Sequence, residues 1–351
     1  MYLLLGVASA CLLRTRDYPV HQLFPLIPFV AVVMIAIARS DPGEYQVQKT
    51  RDFLFLTGTI VIVMPSLFTG RKSWHGLSVV WIVASLTASV AIFFVGASEE
   101  LYGRAGIRIS TLGPASLIAL GLISTITFLA EGTLAVRLAI PLVAVQLLSL
   151  LSIGSRGPVI GAAAGLLSWL LLNFRVSMRR LLYVGMLTIV LVLVLQNLPS
   201  ISRSRLANFR DAGRPALWQD GISQFLNNPL LGVGWGNYAS FGRSVYPHNL
   251  FIEVAAELGL LGLATFTVLL FTLSRRIIYF RTISEANSVI PIAICAIVIQ
   301  QFSFDLTNRI FWIAVISVLL LEERRFSRDD TGKNTRTPSQ SPVLGAIVKD
   351  L

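Results

Sequence analysis

The chain has 351 residues, of which 54% are hydrophobic and 13% charged, and its mean hydropathy is +0.73. A soluble domain carries about 25% charged residues, so a water-soluble fold is excluded. The formal net charge is +11, but the arginines are dispersed among apolar runs, which points to lipid head groups and anionic membrane substrates as partners rather than nucleic acid.

Apolar segments recur from Tyr2 to Leu321. The first, Tyr2 to Leu13, is too short to cross a bilayer alone, lacks the basic start of a signal peptide, and reads as the end of a helix whose upstream part is missing. Crossing a hydrocarbon core of about 30 Å takes about 20 apolar helical residues. Segments approaching that length are expected at 20–38, 53–69, 76–96, 112–129, 134–153, 157–173, 180–198, 249–273, 287–303 and 308–321. The fold class is therefore all-α: a polytopic transmembrane helical bundle of about 11 spans filling residues 1–321. The tail, 322–351, is rich in Ser, Thr, Pro, Asp and Lys and is expected to be disordered.

Basic residues in short loops favour the cytoplasm. With alternating spans, Arg14 and Arg16, Arg71 and Lys72, the Arg175/Arg179/Arg180 group, the Arg275/Arg276/Arg281 group and the tail share that side. The opposite, periplasmic side receives 39–52, 97–111, 154–156, the large loop 199–247 and 304–307. That large loop holds Arg203, Arg205, Arg210, Arg214 and Arg243 against Asp211 and Asp220, a net positive surface suited to a phosphate-bearing lipid. Four of the 29 basic residues are lysine and the rest arginine. Arginine grips phosphate in two places, although a GC-rich genome yields the same bias.

Cys11 and Cys295 both lie inside apolar runs and there are three histidines, so neither a disulfide framework nor a metal-ligand cluster is supported. No cofactor is called for. Candidate chemistry concentrates elsewhere. Tyr246-Pro247-His248-Asn249 precedes an apolar helix from Leu250, and Pro247 suits a helix start. His248 and Asn249 are thus expected in the first turn, where free amides attract anions. His248 is a candidate base or hydrogen-bond donor to phosphate; the alternative is an interfacial histidine that caps the turn. Glu253 and Glu257, four residues apart, share a helix face and require a partner within a span, for which an arginine is expected. His248 and Glu257 face opposite ways, so a direct dyad between them is disfavoured.

Ser155-Arg156-Gly157-Pro158 joins two spans almost without a loop. Gly157 permits close approach of a ligand and Arg156 could grip a diphosphate or simply anchor the helix end. Within the large loop, residues 214–226 have helical apolar spacing and end at Asn227-Asn228-Pro229. The following Leu231-Gly232-Val233-Gly234-Trp235-Gly236 suits tight turns. No strand precedes it, so a dinucleotide fold is not indicated. Its aromatic residues belong to the interfacial belt or stack on sugars.

Arg214 to Trp218, then Asn228-Pro229-Leu230-Leu231-Gly232-Val233-Gly234, then Tyr246-Pro247-His248-Asn249 with Glu257-Leu258-Gly259-Leu260-Leu261-Gly262 resemble the O-antigen ligase and polymerase superfamily. The ligase pattern of His, then Asn, Ser or Gln, nine residues, Gly, two residues and Gly, Thr or Tyr is met by His248, Asn249, Gly259 and Gly262. Ser155-Arg156-Gly157 is similar to the family's other arginine site. The resemblance covers residues 150–265 and implies a metal-independent glycosyltransferase of the bacterial inner membrane with its active site facing the periplasm. Its donor would be a glycan on undecaprenyl diphosphate; its acceptor would be lipid A-core in a ligase or another glycan in a polymerase. Arg156 and Arg214 would hold the departing diphosphate, and His248 would activate the acceptor hydroxyl or bind phosphate. Arg210, Trp218, Arg243, Tyr246 and Asn249 are the accompanying candidates for substrate contact. A flippase or a non-catalytic assembly protein is the competing reading; a flippase would be expected to line its spans with charge, whereas the basic residues here gather at the outer edge.

Overall fold

A computed structural model describes residues 20–67, 71–95, 112–172, 214–241, 243–283 and 286–321. The expected segment at Tyr2 to Leu13, the span at 180–198, the tail, and Arg203, Arg205 and Arg210 lie outside the described residues. Among the described residues the architecture is helical with no strand.

The helices follow the apolar segments closely. A 3₁₀ stretch at Val20–Leu26 leads into α1 (Ile27–Ala38), with Pro28 in its first turn, where a missing amide costs nothing. After a short turn come α2 (Glu44–Arg51), a π-helical stretch at Asp52–Thr57 and α3 (Gly58–Leu67). Next are α4 (Arg71–Val95), α5 (Leu112–Glu131), α6 (Val136–Ile153) and α7 (Arg156–Leu172). Gly154, at φ +67°, ends α6 in the left-handed conformation that stops a helix, and α7 begins two residues later. Beyond lie α8 (Arg214–Asn227), the single turn α9 (Tyr238–Phe241), α10 (Leu250–Phe280), α11 (Ala286–Gln300) and α12 (Arg309–Leu319). Among the described residues five helices are long and apolar enough to cross a membrane: His21–Ala38, Ser73–Phe94, Leu112–Glu131, Val136–Ile153 and Leu250–Phe280. Arg156–Leu172, Ala286–Gln300 and Arg309–Leu319 are shorter apolar helices.

Two packing devices position the loops. The first is a run of small residues. Gly157, Gly161 and Gly165 recur every four residues along α7; Gly161 and Gly165 leave no room for a Cβ against α11 and Gly157 only a tight fit against Phe302 and Ser303, and at Gly165 an added Cβ would stand 2.7 Å from the Pro291 carbonyl. Small residues at this spacing let membrane helices approach backbone to backbone. The second is an aromatic cluster. Phe29 of α1 meets Phe266 of α10 at 5.4 Å between ring centroids, Phe53 meets Trp235 at 5.1 Å, and Trp312 of α12 touches both phenylalanines 29 and 53. Trp235 is wholly buried. It belongs neither to an interfacial belt nor to a sugar platform, because its ring fills the space beneath the glycine turns, against the π-helical segment.

Candidate functional site

Everything that converges does so at the start of α10. Lys49 of α2 places its ammonium 2.6 Å from Glu253 and 2.7 Å from Glu257, with all three side chains fully buried. Two backbone amides complete the arrangement: Gly236 donates to Glu257 at 2.9 Å and Leu306 donates to Glu253 at 3.1 Å. The Trp235 ring lies 4.6 Å from the ammonium, a further favourable contact for a buried cation. The partner of the two carboxylates is thus a lysine and not the expected arginine. Burial alone would push the Lys49 ammonium towards neutrality, but Glu253 and Glu257 outweigh it and hold its pKa above the ordinary lysine value.

This cluster ties together three stretches far apart in sequence. From the 39–52 segment, Arg39 donates to the Leu231 carbonyl at 3.1 Å, Gln46 donates to Asn237 at 3.1 Å and Tyr45 donates to Asp305 at 2.9 Å. Gln300 and Asn308 then close the 301–308 turn: Asn308 donates to Gln300 at 2.7 Å and Gln300 to the Asp305 carbonyl at 2.6 Å. Parts of the loops expected to share one side of the bundle at 39–52, 199–247 and 304–307 therefore meet, through Leu231, Asn237 and Asp305. Gly157 packs against Phe302 and Ser303, which brings the start of α7, and Arg156 with it, to the same end. The close approach that Gly157 permits is to this neighbouring chain.

The glycine-rich turn is clamped onto a break in α10. Gly259 sits at φ +65°, ψ −157° inside the helix, a region open in practice to glycine alone. The amides freed by the break find partners in the turn: Leu260 donates to the Pro229 carbonyl at 2.7 Å and Leu261 to the Leu230 carbonyl at 3.2 Å. In return Val233 donates to the Ala256 carbonyl at 2.8 Å and Gly234 to the Glu257 carbonyl at 3.0 Å. Gly232, at φ +64°, lies so close to the Glu257 backbone that no side chain fits. Asn-Pro-Leu-Leu-Gly-Val-Gly and Glu-Leu-Gly-Leu-Leu-Gly are thus the two halves of one backbone-to-backbone joint.

His248 projects from the rim of this joint. It does not lie in the first helical turn. Asn249 is the N-cap, its side chain accepting from the Ile252 amide at 3.1 Å, and His248 precedes it at φ +55°, uncommon for a residue with a Cβ. The capping alternative for His248 is thereby filled by its neighbour. Pro247 is buried while His248 and Asn249 are half-buried. The Tyr246 ring stands 4.4 Å from the imidazole between centroids. Burial, with Asp305 and Glu253 adding to it, pushes the Tyr246 hydroxyl up to about 12, so it remains a neutral donor.

The remaining candidates sit on other elements. Arg156 and Arg214 are each the first residue of a helix, α7 and α8, and each is half-buried. Tyr238, wholly buried, donates to the Leu217 carbonyl at 2.9 Å and so fixes α8 to α9. Trp218 is half-buried on α8. Arg243 is largely exposed and pairs with Asp220 at 3.6 Å, a surface contact of about 0–1 kcal/mol. Among the described residues no three His, Cys, Asp or Glu side chains are grouped to hold a metal ion.

Sequence reasoning missed Lys49, Tyr45 and Asp305. A signal for the first existed: Lys49 is a lone lysine on the expected outer side, in a stretch leading into a span, and two carboxylates on one face of α10 demanded a cation. Residues 141–267 match the family model described as O-antigen ligase, an interval that contains Arg156, Arg214, His248 and both glutamates but not Lys49. No curated protein matches the chain.

Proposed function

We propose, from the premise that residues 141–267 belong to the O-antigen ligase and polymerase superfamily, that this multi-pass membrane protein transfers a glycan from undecaprenyl diphosphate to an acceptor hydroxyl at the periplasmic face of the inner membrane. The acceptor is lipid A-core or another glycan. The observation that carries this reading is His248 itself, held at φ +55° by a buried proline on one side and a helix cap on the other, at the rim of the joint that unites the two halves of the family pattern.

In the transfer, the acceptor oxygen forms a bond to the anomeric carbon as the bond from that carbon to phosphate breaks. The electron pair leaves with the diphosphate, and the hydroxyl proton passes to His248 or, with His248 on phosphate, to solvent. Arg156 and Arg214 stabilise the departing charge, which supplies a large share of catalysis in such reactions and dispenses with a resident metal. The neutral Tyr246 hydroxyl, with Asn249, Trp218 and Arg243, lines the approach.

The test is deletion of the gene followed by complementation with wild-type, His248→Ala or Arg156→Ala chains, reading cell-surface glycans on gels. Loss of lipid A-linked long chains with lipid-linked polymer accumulating identifies a ligase; a single repeat unit on core identifies a polymerase. In either case His248→Ala is expected to lower transfer by about 10²–10⁴-fold, the usual contribution of an acid–base group. Unchanged glycans in the deletion, or full complementation by both variants, overturn the reading.

A further inference from the structure

Helix α8 presents three faces. One is packed: Gly221 leaves no room for a Cβ against Ile252 of α10 and Gln224 is buried. A second, bearing Ser223 and Asn227, is exposed and polar. The third is exposed and apolar. Ile222 and Leu226 stand four residues apart on it, Trp218 flanks them, and Leu230 in the turn beyond extends the line; Leu226 is 68% and Leu230 66% exposed. A loop helix in water lays its apolar stripe on the protein; α8 turns this stripe away from it.

The depth of this face follows from α10. Arg275 and Arg276 lie near its far end, where Arg276 donates to the carbonyls of Val318 and Leu321 at the close of α12. A basic pair of this kind marks a hydrocarbon boundary. At 1.5 Å per residue, about 30 Å of core places the other boundary roughly 20 residues back, close to Ala255 and Ala256. The charged Lys49 cluster then sits at or just above the hydrocarbon, and Leu260 and Leu261, both exposed, fall just inside it on the lipid-facing surface. The turn after α8 is bonded at this depth, since the Leu261 amide donates to the Leu230 carbonyl. The apolar line of α8 thus ends, at Leu230, against the exposed Leu261 of a span.

We propose that α8 is an interfacial helix, with Ile222, Leu226 and Leu230 seated in the acyl chains of the leaflet on the His248 side. The chemistry matches the occupant: an apolar arc, a flanking tryptophan, and a polar face turned to water are what a helix lying in the plane of a bilayer requires. The inference goes beyond the proposed reaction and stands whether or not the chain transfers glycans. It makes the membrane surface one wall of the site, so that Arg214 at the start of α8 sits at the level of lipid head groups.

The experiment uses the full chain with Cys11→Ser and Cys295→Ala in nanodiscs of phosphatidylethanolamine and phosphatidylglycerol. Single spin labels are placed through Ile222→Cys, Leu226→Cys, Leu230→Cys, Ser223→Cys, Asn227→Cys and Leu261→Cys. The ratio of accessibility to oxygen over accessibility to a water-soluble nickel chelate is expected to be several-fold higher at 222, 226 and 230 than at 223 and 227, and to approach that at 261. Equal ratios all along α8, or low accessibility of 222 and 226 to both reagents, overturn the proposal. In the chain with both native cysteines, a benzophenone amino acid at position 226 is expected to yield a lipid adduct on irradiation, and one at 223 none. A crosslink from 226 to protein instead of lipid overturns it equally.

Discussion

Two polar regions lie within a few residues of each other at the start of α10, and they are built in opposite ways. Around Lys49 the charges are buried and paired: the ammonium and a backbone amide bond the same oxygen of each carboxylate, while the second oxygen of each, Glu253 Oε2 and Glu257 Oε1, is buried without a hydrogen-bond partner among the described residues. Around His248 the groups are half-buried, the backbone is held at a positive φ, and the imidazole meets the Tyr246 ring at a tilt. The contrast separates structure from chemistry. A fully buried set of charges is closed off from solvent, whereas a partly open side chain supported by a cap and a proline is accessible from it. Backbone strain of this sort persists where the surroundings over-determine it, here the buried Pro247 before it and the Asn249 cap after it.

The sharpest way to break this contrast is to remove one partner of the buried set. Lys49→Ala leaves two carboxylates without their cation and is expected to cost about 3–5 kcal/mol of stability, read by unfolding in detergent micelles; Lys49→Met combined with Glu253→Gln and Glu257→Gln should recover most of that loss, because the charges go together. His248→Ala measured in parallel should leave stability unchanged. If Lys49→Ala were as stable as wild type yet inactive, the division would fail.

The next test addresses the joint that supports both regions. Gly259→Ala forces a side chain into a conformation open in practice to glycine and against the Leu230 backbone. Strain alone is expected to cost about 1–3 kcal/mol. Transfer should fall with it as the glycine-rich turn is displaced, whereas Gly132→Ala, also at positive φ but in open space, should lower stability and spare transfer.

The smallest effect is electrostatic. Tyr246 is neutral up to about 12 and Lys49 is held protonated above its usual range. Both folded values exceed the unfolded ones of about 10 and 10.4, so both contributions are fully present below pH 10 and fade as pH rises through the folded values. Tyr238 is raised to about 12 by burial and Tyr45 higher still, so absorbance titration at alkaline pH should show several late phenols, with one fewer near 12 in Tyr246→Phe. A Tyr246 titrating near pH 10 would mean that its hydroxyl is open to water, and the two regions would be less distinct than their geometry indicates.

The spans were legible because composition and period decide them. Hydrocarbon leaves a chain few options, and α1, α4 to α7 and α10 to α12 lie within a few residues of the expected segments. The exception is the far end of α10, which runs to Phe280 rather than stopping near 273, since Arg275 and Arg276 end an apolar run without ending a helix. The site was legible where its parts adjoin in sequence, as in Tyr246 to Asn249, or where a chemical debt was visible, as at Glu253 and Glu257. It was not legible where it depended on tertiary contact. Nothing local says that Trp235 turns inward onto Phe53, that Asn249 rather than His248 takes the cap, or that the amides of Leu260 and Leu261 are satisfied by a turn 31 residues upstream.

Lys49 and its carboxylates also set an order of events in the making of the protein. Their bond spans 204 and 208 positions, and Glu253 draws its second donor from Leu306, a further 53 along. At about 5–20 residues per second of synthesis, a lysine already delivered to the membrane surface waits roughly 10–40 s for its first partner, and some seconds more before the last helix closes the set. Until then the cation is solvated and the glycine turn has no broken helix to clasp. Among the described residues the rim around His248 is thus among the last parts to take shape, and a chain halted before α12 would hold most of the described membrane helices and the His248 pattern without the contact from Leu306.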